Sequence, residues 1–345
     1  MADPALPALL WEVLLRVGKI TLFIAFGVSF ANLLVAFGLV ERIAALSRYL
    51  TRPANLPEEV GSAILTTAAS TTAGYGMLAE FRESGVLDDR ATLVAVTINT
   101  FFGFVQHIFT FYAPVLIPIL GLEVGLAYVG ARAGVSLAIT LTGLVAGAVL
   151  LSERNVDPEA ARTVETDGGG VADEAADTDA NANANADDGP EPPREKLRES
   201  VRKGLAKTRD IVPRLVVIYV AVTLLTTYYD LAALTAAADP LAAATGLPAA
   251  AVPVIAVYTL DTTNGALVLA PLVEDGVFTT RTAVAAMLVG GIVSFAVSTF
   301  KRSIPFQYGI WGAEFGSKVV VVNTALKVVW ITVAVVLVLH GPWPL

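Results

Sequence analysis

The chain carries an internal duplication that limits its fold to two copies of one unit. Shifting the sequence by 191 positions aligns residues 56–125 with residues 247–316 without a gap, and 20 of the 70 aligned positions are identical. The matches include glycine, proline, arginine and glutamate, which chance alignment of apolar segments would not select. Such self-similarity indicates that one structural unit is used twice. Three motifs occur in both copies: Thr-Thr-x-Gly at 71–74 and 262–265, Glu-x-Gly-Val at 83–86 and 274–277, and Gly-x-Glu-x-Gly at 121–125 and 312–316.

Each copy contains apolar stretches of membrane-spanning length. Hydrophobic residues make up 55% of the 345 residues and charged residues 16%, whereas soluble domains have roughly 45–50% and 25%. A helix needs about 20 apolar residues to cross a bilayer. The sequence therefore predicts an all-α polytopic protein of the cell (inner or plasma) membrane, surrounded by lipid. The apolar stretches, of which one is interrupted by Lys327, lie at 20–40, 91–122, 133–152, 215–229, 282–300 and 319–340.

The composition also excludes several kinds of chemistry. The chain has no Cys and two His, so disulfides, thiolate zinc sites and cysteine nucleophiles are ruled out. The sequence contains no nucleophile–base pair and no metal-ligand cluster, and we therefore expect neither an enzyme nor a metal site. We expect no cofactor, apart from Na⁺ as an option for a coupling ion, and no nucleic-acid partner.

An acidic linker joins the two copies. Residues 153–193 contain twelve Asp and Glu against two Arg, so the formal net charge of −8 comes from this segment. From residue 155 onwards the tract is rich in Ala, Asp, Asn, Gly and Pro and has almost no large apolar residue, which predicts disorder. We accordingly divide the chain into a first repeat at 1–154, a disordered acidic linker at 155–196 and a second repeat at 197–345.

Basic residues indicate that the two copies have opposite orientations. Lys and Arg concentrate at the cytoplasmic ends of membrane helices. Segment 41–56 carries three Arg whereas the equivalent segment 232–247 carries no Lys or Arg; conversely, segment 194–209 carries seven basic residues and the entry to the first copy only Arg16 and Lys19. An inverted repeat with a cytoplasmic linker accounts for this pattern, and inversion requires an odd number of crossings in each copy.

The odd number is reached if one segment of each copy enters the membrane and turns back. After the Leu-Pro pair of each copy, a polar, glycine-bearing centre divides the next stretch into two arms of about 12–14 residues, each roughly 20 Å long and too short to cross. Each copy is therefore predicted to contain a crossing helix, an interfacial helix, a re-entrant hairpin and two further crossing helices. The whole chain then has six crossings and two hairpins.

With this order of elements the chain resembles the Gate-domain (nucleoside recognition domain) family. That family is related to concentrative nucleoside transporters, to spore maturation proteins A and B and to the membrane part of ferrous-iron transporter B. The resemblance rests on the Gly-x-Gly and Asn-Gly tips, the Glu-x-Gly-Val exits and the Gly-x-Glu-x-Gly motifs. The Gly-Gln-Thr-Glu-type signature of true nucleoside transporters and a GTPase motif are both absent from the sequence. The resemblance implies the inverted-repeat fold and a solute site between the hairpins.

The hairpin tips and the polar residues of the helices that follow them form the candidate site. A re-entrant hairpin leaves backbone groups unpaired at its tip, which is tolerated only against protein, water or a solute. The alternative interpretation of these small residues is close helix packing. The candidate substrate-binding residues are Ser70, Thr71, Thr72, Gly74, Asn99, Gln106, Asp261, Thr262, Thr263, Asn264, Lys301 and Arg302.

We predict a secondary transporter of a small polar solute, such as a nucleoside or nucleobase, driven by Na⁺ or H⁺. Asp261 is the only acidic side chain at either predicted tip, and we expect it to bind the coupling ion or, alternatively, to pair with Lys301 or Arg302. Two other functions stay open: transport of a small anion attracted by those two cations, and a non-transporting membrane scaffold or sensor. A homo-oligomer also stays open.

Overall fold

The computed structural model describes residues 51–157 and 246–342 continuously, and isolated positions or short runs between 7 and 29 and between 197 and 224. The linker from 158 to 196, most of the two predicted interfacial helices and most of each copy's first predicted crossing lie outside the described residues, as does the side chain of Lys301. Each continuous part covers one copy of the repeat from its Leu-Pro pair onwards.

The first part is a series of helices that are interrupted at defined positions. A hairpin of two short helices, separated by Ser70, is followed by three helical segments and one long helix. A π-helical stretch at Ile108–Leu116, which contains Pro114, connects the second and third of those segments. The helices are α1 (Glu58–Ala69), α2 (Thr71–Glu83), α3 (Asp89–Ile98), α4 (Thr100–His107), α5 (Ile117–Leu120) and α6 (Leu122–Leu150).

The second part has the same order of elements. Its hairpin is separated by Asp261, and its second arm has the bounds of α2 shifted by 191 positions. A second π-helical stretch, at Thr299–Ser303, occupies the start of the region equivalent to the first one. The helices are α7 (Ala251–Leu260), α8 (Thr262–Glu274), α9 (Thr280–Ser298) and α10 (Ile304–His340).

Glycine sets the sharp bend that precedes the last helix of each part. Gly121 has φ 81° and ψ 165°, and Gly312, inside α10, has φ 72° and ψ 168°. Residues with a Cβ rarely adopt this region, so the first glycine of the Gly-x-Glu-x-Gly motif is required for the bend. The second glycine permits close contact across it, because a Cβ at Gly125 would lie 2.9 Å from Ile117 Cα and one at Gly316 would lie 2.9 Å from the Gln307 carbonyl oxygen.

Within the described residues, three helical stretches are long and apolar enough to cross a membrane: Asp89–Leu120, Leu122–Leu150 and Ile304–His340. Large apolar side chains on α6 lie exposed at a helical spacing, among them Leu137, Leu141 and Val145. A surface of this kind is suited to lipid rather than to water. In the described part of the chain, the only extended pairing is an isolated bridge between Leu87 and Val156. This is the architecture of an all-α membrane protein.

Each hairpin packs against the other copy. Leu78 of α2 shares an apolar cluster with Trp311 and Phe315 of the second part. Reciprocally, Leu267 of α8 shares a cluster with Leu116 of the first part. The second arm of each hairpin therefore lies against helical segments of the other part.

The residues after α6 fold back on the loop that follows the first hairpin. The Asn155 amide donates to Asp88 Oδ2 at 2.7 Å, and the Asp157 N–H donates to the carbonyl of Val86 at 3.0 Å. Residues 155–157, which the sequence analysis assigned to the linker, therefore make defined contacts with the first copy.

Candidate functional site

Helix breaks occur at both predicted tips, and both are capped in the same way. The Ser70 hydroxyl accepts a hydrogen bond from the Ala73 N–H at 3.3 Å, and Asp261 Oδ1 accepts one from the Asn264 N–H at 2.8 Å. Ser and Asp are both favoured at helix N-caps because their oxygens satisfy the free N–H groups of the first turn. Asp261 thus has a capping role that the sequence analysis did not consider.

The glycine at each tip allows the two arms of its hairpin to pack closely. A Cβ at Gly74 would lie 2.6 Å from the backbone nitrogen of Thr67 and 1.9 Å from its hydroxyl oxygen. A Cβ at Gly265 would lie 2.6 Å from Tyr258 Cα. Gly74, which we included among the binding residues, therefore serves the contact between α1 and α2, as the packing interpretation expects.

At the first tip, two of the predicted site residues are in contact. The Thr71 hydroxyl donates to Gln106 Oε1 at 2.8 Å, which connects the hairpin to α4. Thr72 is exposed. Asn99, at the junction of α3 and α4, is only 1% exposed, and neither its amide nitrogen nor its amide oxygen has a hydrogen-bond partner among the described residues.

At the second tip, a small cavity of about 50 Å³ brings Asp261 and Thr262 together with Arg302. Asp261 makes no ion pair with Arg302 in the described structure, so the predicted pairing of those two residues is not seen. Thr263 is half-buried, and the side-chain oxygen of Asn264 is buried without a partner among the described residues. The remaining cavity residues are Tyr258, Thr259, Leu260, Ser294 and Ser298.

Sequence reasoning missed a basic and aromatic cluster beside this tip. Arg132 lies in α6, and its guanidinium interacts electrostatically with Tyr112, Tyr128 and Tyr258. The hydroxyls of Tyr128 and Tyr258 are 2.7 Å apart, and Tyr258 also interacts with Thr262 at the tip. The signal was an arginine in the middle of a long apolar segment, but we began the apolar stretch at residue 133 and so passed over it.

The equivalent place beside the first tip is neutral. Position 323 in α10 corresponds to position 132 in α6, and it holds Asn instead of Arg. Asn323 and Gln307 interact with Tyr75 of α2, and the Tyr75 ring packs edge-on against Trp311, with the centroids 6.3 Å apart. Each hairpin therefore presents a tyrosine to the last helix of the other copy, and only the second meets a cation there.

Other parts of the described structure have fewer groups that could bind a ligand. They contain no group of three or more His, Asp or Glu residues that could hold a metal ion. The larger cavity, of about 710 Å³, is an open depression between the loop at 85–89 and the segment 154–157. None of the predicted site residues lines it, and Arg82 at its edge is already paired with Asp89 at 2.8 Å.

Fold and site together define a class: an all-α membrane protein with duplicated, capped helical hairpins and buried polar groups beside them. No known family profile matches the chain, and no solved structure does. The chain is similar to three uncharacterized proteins of Methanocaldococcus jannaschii. One is 22% identical, with 89% of this chain and 88% of the relative aligned. A second is 22% identical over 92% and 95%, and a third is 27% identical over 28% and 30%.

Proposed function

We propose that the chain is a multi-pass plasma-membrane secondary transporter that binds a small polar solute beside the two hairpin tips. Its fold would be two inverted repeats with two re-entrant hairpins and six crossings, and its acidic linker would lie in the cytoplasm. The length of the hairpin helices supports the re-entrant arrangement, because arms of 10 to 13 residues are about 15–20 Å long and too short to cross a bilayer. Inverted repeats with broken helices at the midplane are a recurrent transporter architecture.

The observation that carries the proposal is the pair of buried amides. Asn99 and Asn264 were both chosen from the sequence as binding residues, and both have buried side-chain atoms without a partner in the described part of the chain. Buried polar groups are nearly always hydrogen-bonded, and an exception needs an explanation. A bound solute that hydrogen-bonds to these amides explains both exceptions.

The tips also suit ion coupling at the second hairpin. Asp261 is the only acidic residue among those that line the cavity at the second tip, so its carboxylate supplies the negative charge that a coupling cation needs. The cavity of about 50 Å³ at that tip is the size of an ion or one to two water molecules. We infer that Asp261 binds or releases the coupling ion, Na⁺ or H⁺, while the solute is held by the amides and hydroxyls of both tips.

The experiment compares Asn99→Leu and Asn264→Leu with wild type in proteoliposomes. The probes are radiolabelled uridine and uracil, each tested with an imposed Na⁺ gradient and an imposed pH gradient, and solute-induced thermal stabilisation in detergent is the second readout. If the amides bind the solute, uptake and solute-induced stabilisation fall at least tenfold. Without solute, both Leu variants should be at least as stable as wild type, because removal of a buried, unsatisfied polar group avoids a desolvation cost of roughly 1–3 kcal/mol.

The matched control is Thr332→Val, which removes a polar group from the exposed surface of α10, where its hydroxyl bonds only to the Val328 carbonyl. It should leave uptake and stabilisation unchanged. If both Leu variants transport like wild type, the amides are unsatisfied packing residues and the site lies elsewhere. If wild type binds and transports neither of these probes under either gradient, and none of inorganic phosphate, succinate and acetate, the scaffold function is favoured instead.

A further inference from the structure

Arg132 lies within a helix of 29 residues that is otherwise free of basic residues. Its Nε atom is buried and has no hydrogen-bond partner among the described residues. Its neighbours are tyrosines from three elements: Tyr112 from the first π-helical stretch, Tyr128 from α6 and Tyr258 from α7. An ionised side chain at such a depth is costly unless it is paired or serves a function.

The charges that the described structure places near Arg132 are positive. Lys327, in α10, interacts electrostatically with Arg132, and both cations act on His107 at the end of α4. Within residues 51–157 and 246–342, no carboxylate pairs with Arg132 or Lys327. Two neighbouring cations in an apolar surrounding repel each other, and an anion between them would offset the repulsion and part of the cost of desolvation.

A small gap lies beside the guanidinium. A Cβ placed on Gly291 of α9 would lie 3.9 Å from Arg132 Nη1 and 3.9 Å from the Tyr258 hydroxyl, which is ordinary van der Waals contact, so the gap has room for about one methyl group. The adjacent Gly290 is different, since a Cβ there would come within 2.9 Å of the Tyr258 ring. Gly290 is therefore required for packing, whereas Gly291 borders a gap lined by a cationic nitrogen and a hydroxyl.

We propose that Arg132, Lys327 and the Tyr258 hydroxyl form a binding site for the carboxylate or phosphate group of a small anionic solute. The planar guanidinium offers paired N–H donors that match two oxygens of such a group. The ammonium group of Lys327 adds a second positive charge, and Tyr258 connects the site to Thr262 at the second tip. Gly291 leaves methyl-sized room between these two groups, in which one oxygen of the anionic group would lie.

That this anion is transported depends on the function proposed above, whereas its binding at this site does not. The site makes the transported solute an anion, in place of the neutral nucleoside expected from the sequence. This site also differs from the anion site that the sequence suggested at Lys301 and Arg302, because its cations, Arg132 and Lys327, lie in the long helices α6 and α10.

The first test measures binding to the detergent-purified full chain by calorimetry and thermal shift, at constant ionic strength set with NaCl. The probes are inorganic phosphate, succinate and acetate, with uridine as the neutral comparison. At least one of the three anions should bind and uridine should not displace it. Arg132→Gln should weaken the binding of that anion at least tenfold, because it removes a charged hydrogen-bond donor. Arg132→Lys should recover only part of the loss, since an ammonium lacks the paired donors.

Two further variants test the geometry. Tyr258→Phe removes one hydroxyl and should weaken binding about three- to tenfold. Gly291→Leu fills the gap and should abolish binding, whereas Gly130→Leu, at an exposed position of α6 with no atom within 4 Å, is its matched control. Arg90→Gln, at an exposed position of α3, is the control for loss of a cation. Both controls should bind like wild type.

The outcomes separate the two proposals. Anion binding that depends on Arg132 and Gly291, without uptake into proteoliposomes, supports the site and overturns the transporter. Uptake of uridine with no binding of any of the three anions overturns the site and leaves the transporter standing. Unchanged anion binding in Arg132→Gln also overturns the site. If Arg132→Gln does not fold, binding by Tyr258→Phe and Gly291→Leu decides instead.

Discussion

Neutral polar groups lie beside the tip of the first hairpin, whereas charged groups lie beside the tip of the second. The helix break is capped by Ser70 in one copy and by Asp261 in the other. The helix position that faces the opposite hairpin holds Asn323 beside the first and Arg132 beside the second.

This difference indicates that the backbone conformation of the repeated unit and its charges depend on different residues. Bends, close contacts and caps depend on features that both copies share, such as the glycine at 74 and 265 and the capping oxygen at 70 and 261. Charged side chains are not needed for that framework, so one copy could acquire them without losing its shape. A transporter with one charged half and one neutral half can bind an ion on one side and polar groups of a solute on both.

The largest effect is expected from labelling equivalent loops, because the result is all or none. Ser84 and Asp275 are equivalent, exposed residues that follow the two hairpins, and the chain has no Cys of its own. Single Cys substitutions there should react with a membrane-impermeant maleimide from opposite sides of oriented vesicles. A permeant maleimide serves as the control for reactivity. Labelling of both positions from the same side would contradict the inverted arrangement and favour parallel copies.

Gly74→Ala and Gly265→Ala should both unfold the hairpins, because the added Cβ meets backbone that cannot move away. Overpacking of this kind costs about 3 kcal/mol or more. Folded yield and melting temperature in detergent measure the effect. Gly76→Ala, on the same helix with open space around it, should be neutral or stabilising. If only one of the two hairpins were sensitive, their shared framework would be in question.

Ser70→Ala and Asp261→Ala should each lower the free energy of unfolding by roughly 1 kcal/mol, since each removes an N-cap. Asp261→Asn should restore stability because Asn caps as well as Asp does. The same variant should lose Na⁺- or pH-dependent stabilisation and uptake, while ion-independent solute binding persists in weaker form. Melting temperatures with Na⁺ or K⁺ at two pH values provide the measurement. An Asn variant with full ion dependence would assign coupling to another residue.

The smallest effect is expected where the two copies meet near the helix ends. Lys318 pairs with Asp89 at 2.7 Å, and at the equivalent junction Thr280 donates to Glu123 at 2.5 Å. Lys318→Met should lower the melting temperature only slightly and the loss should shrink at high salt, because exposed ion pairs are weak and screened. Thr280→Val removes the uncharged equivalent and should show little salt dependence. Equal salt dependence in both variants would contradict this assignment.

Much of the local structure follows from short-range pattern. The breaks at 70 and 261 coincide with the polar, glycine-bearing centres, and the apolar stretches predicted at 91–122 and 133–152 overlap the helical stretches Asp89–Leu120 and Leu122–Leu150. Both depend on side chains a few residues apart, whose effect on the backbone is readable in sequence. The mutual approach of the two tips stays a prediction, as does the resemblance to the Gate-domain family.

The amino-acid sequence alone determined where the two hairpins break, because a cap or a glycine acts on its own turn of backbone. The length of the apolar runs indicated a bilayer as the surroundings. Only the tertiary structure decided which polar residues meet. Tyr258 reaches Tyr128 across 130 positions, and Arg132 meets Lys327 from another helix. Such contacts depend on how the two copies pack against each other, and that packing is set by the shape of many apolar side chains together.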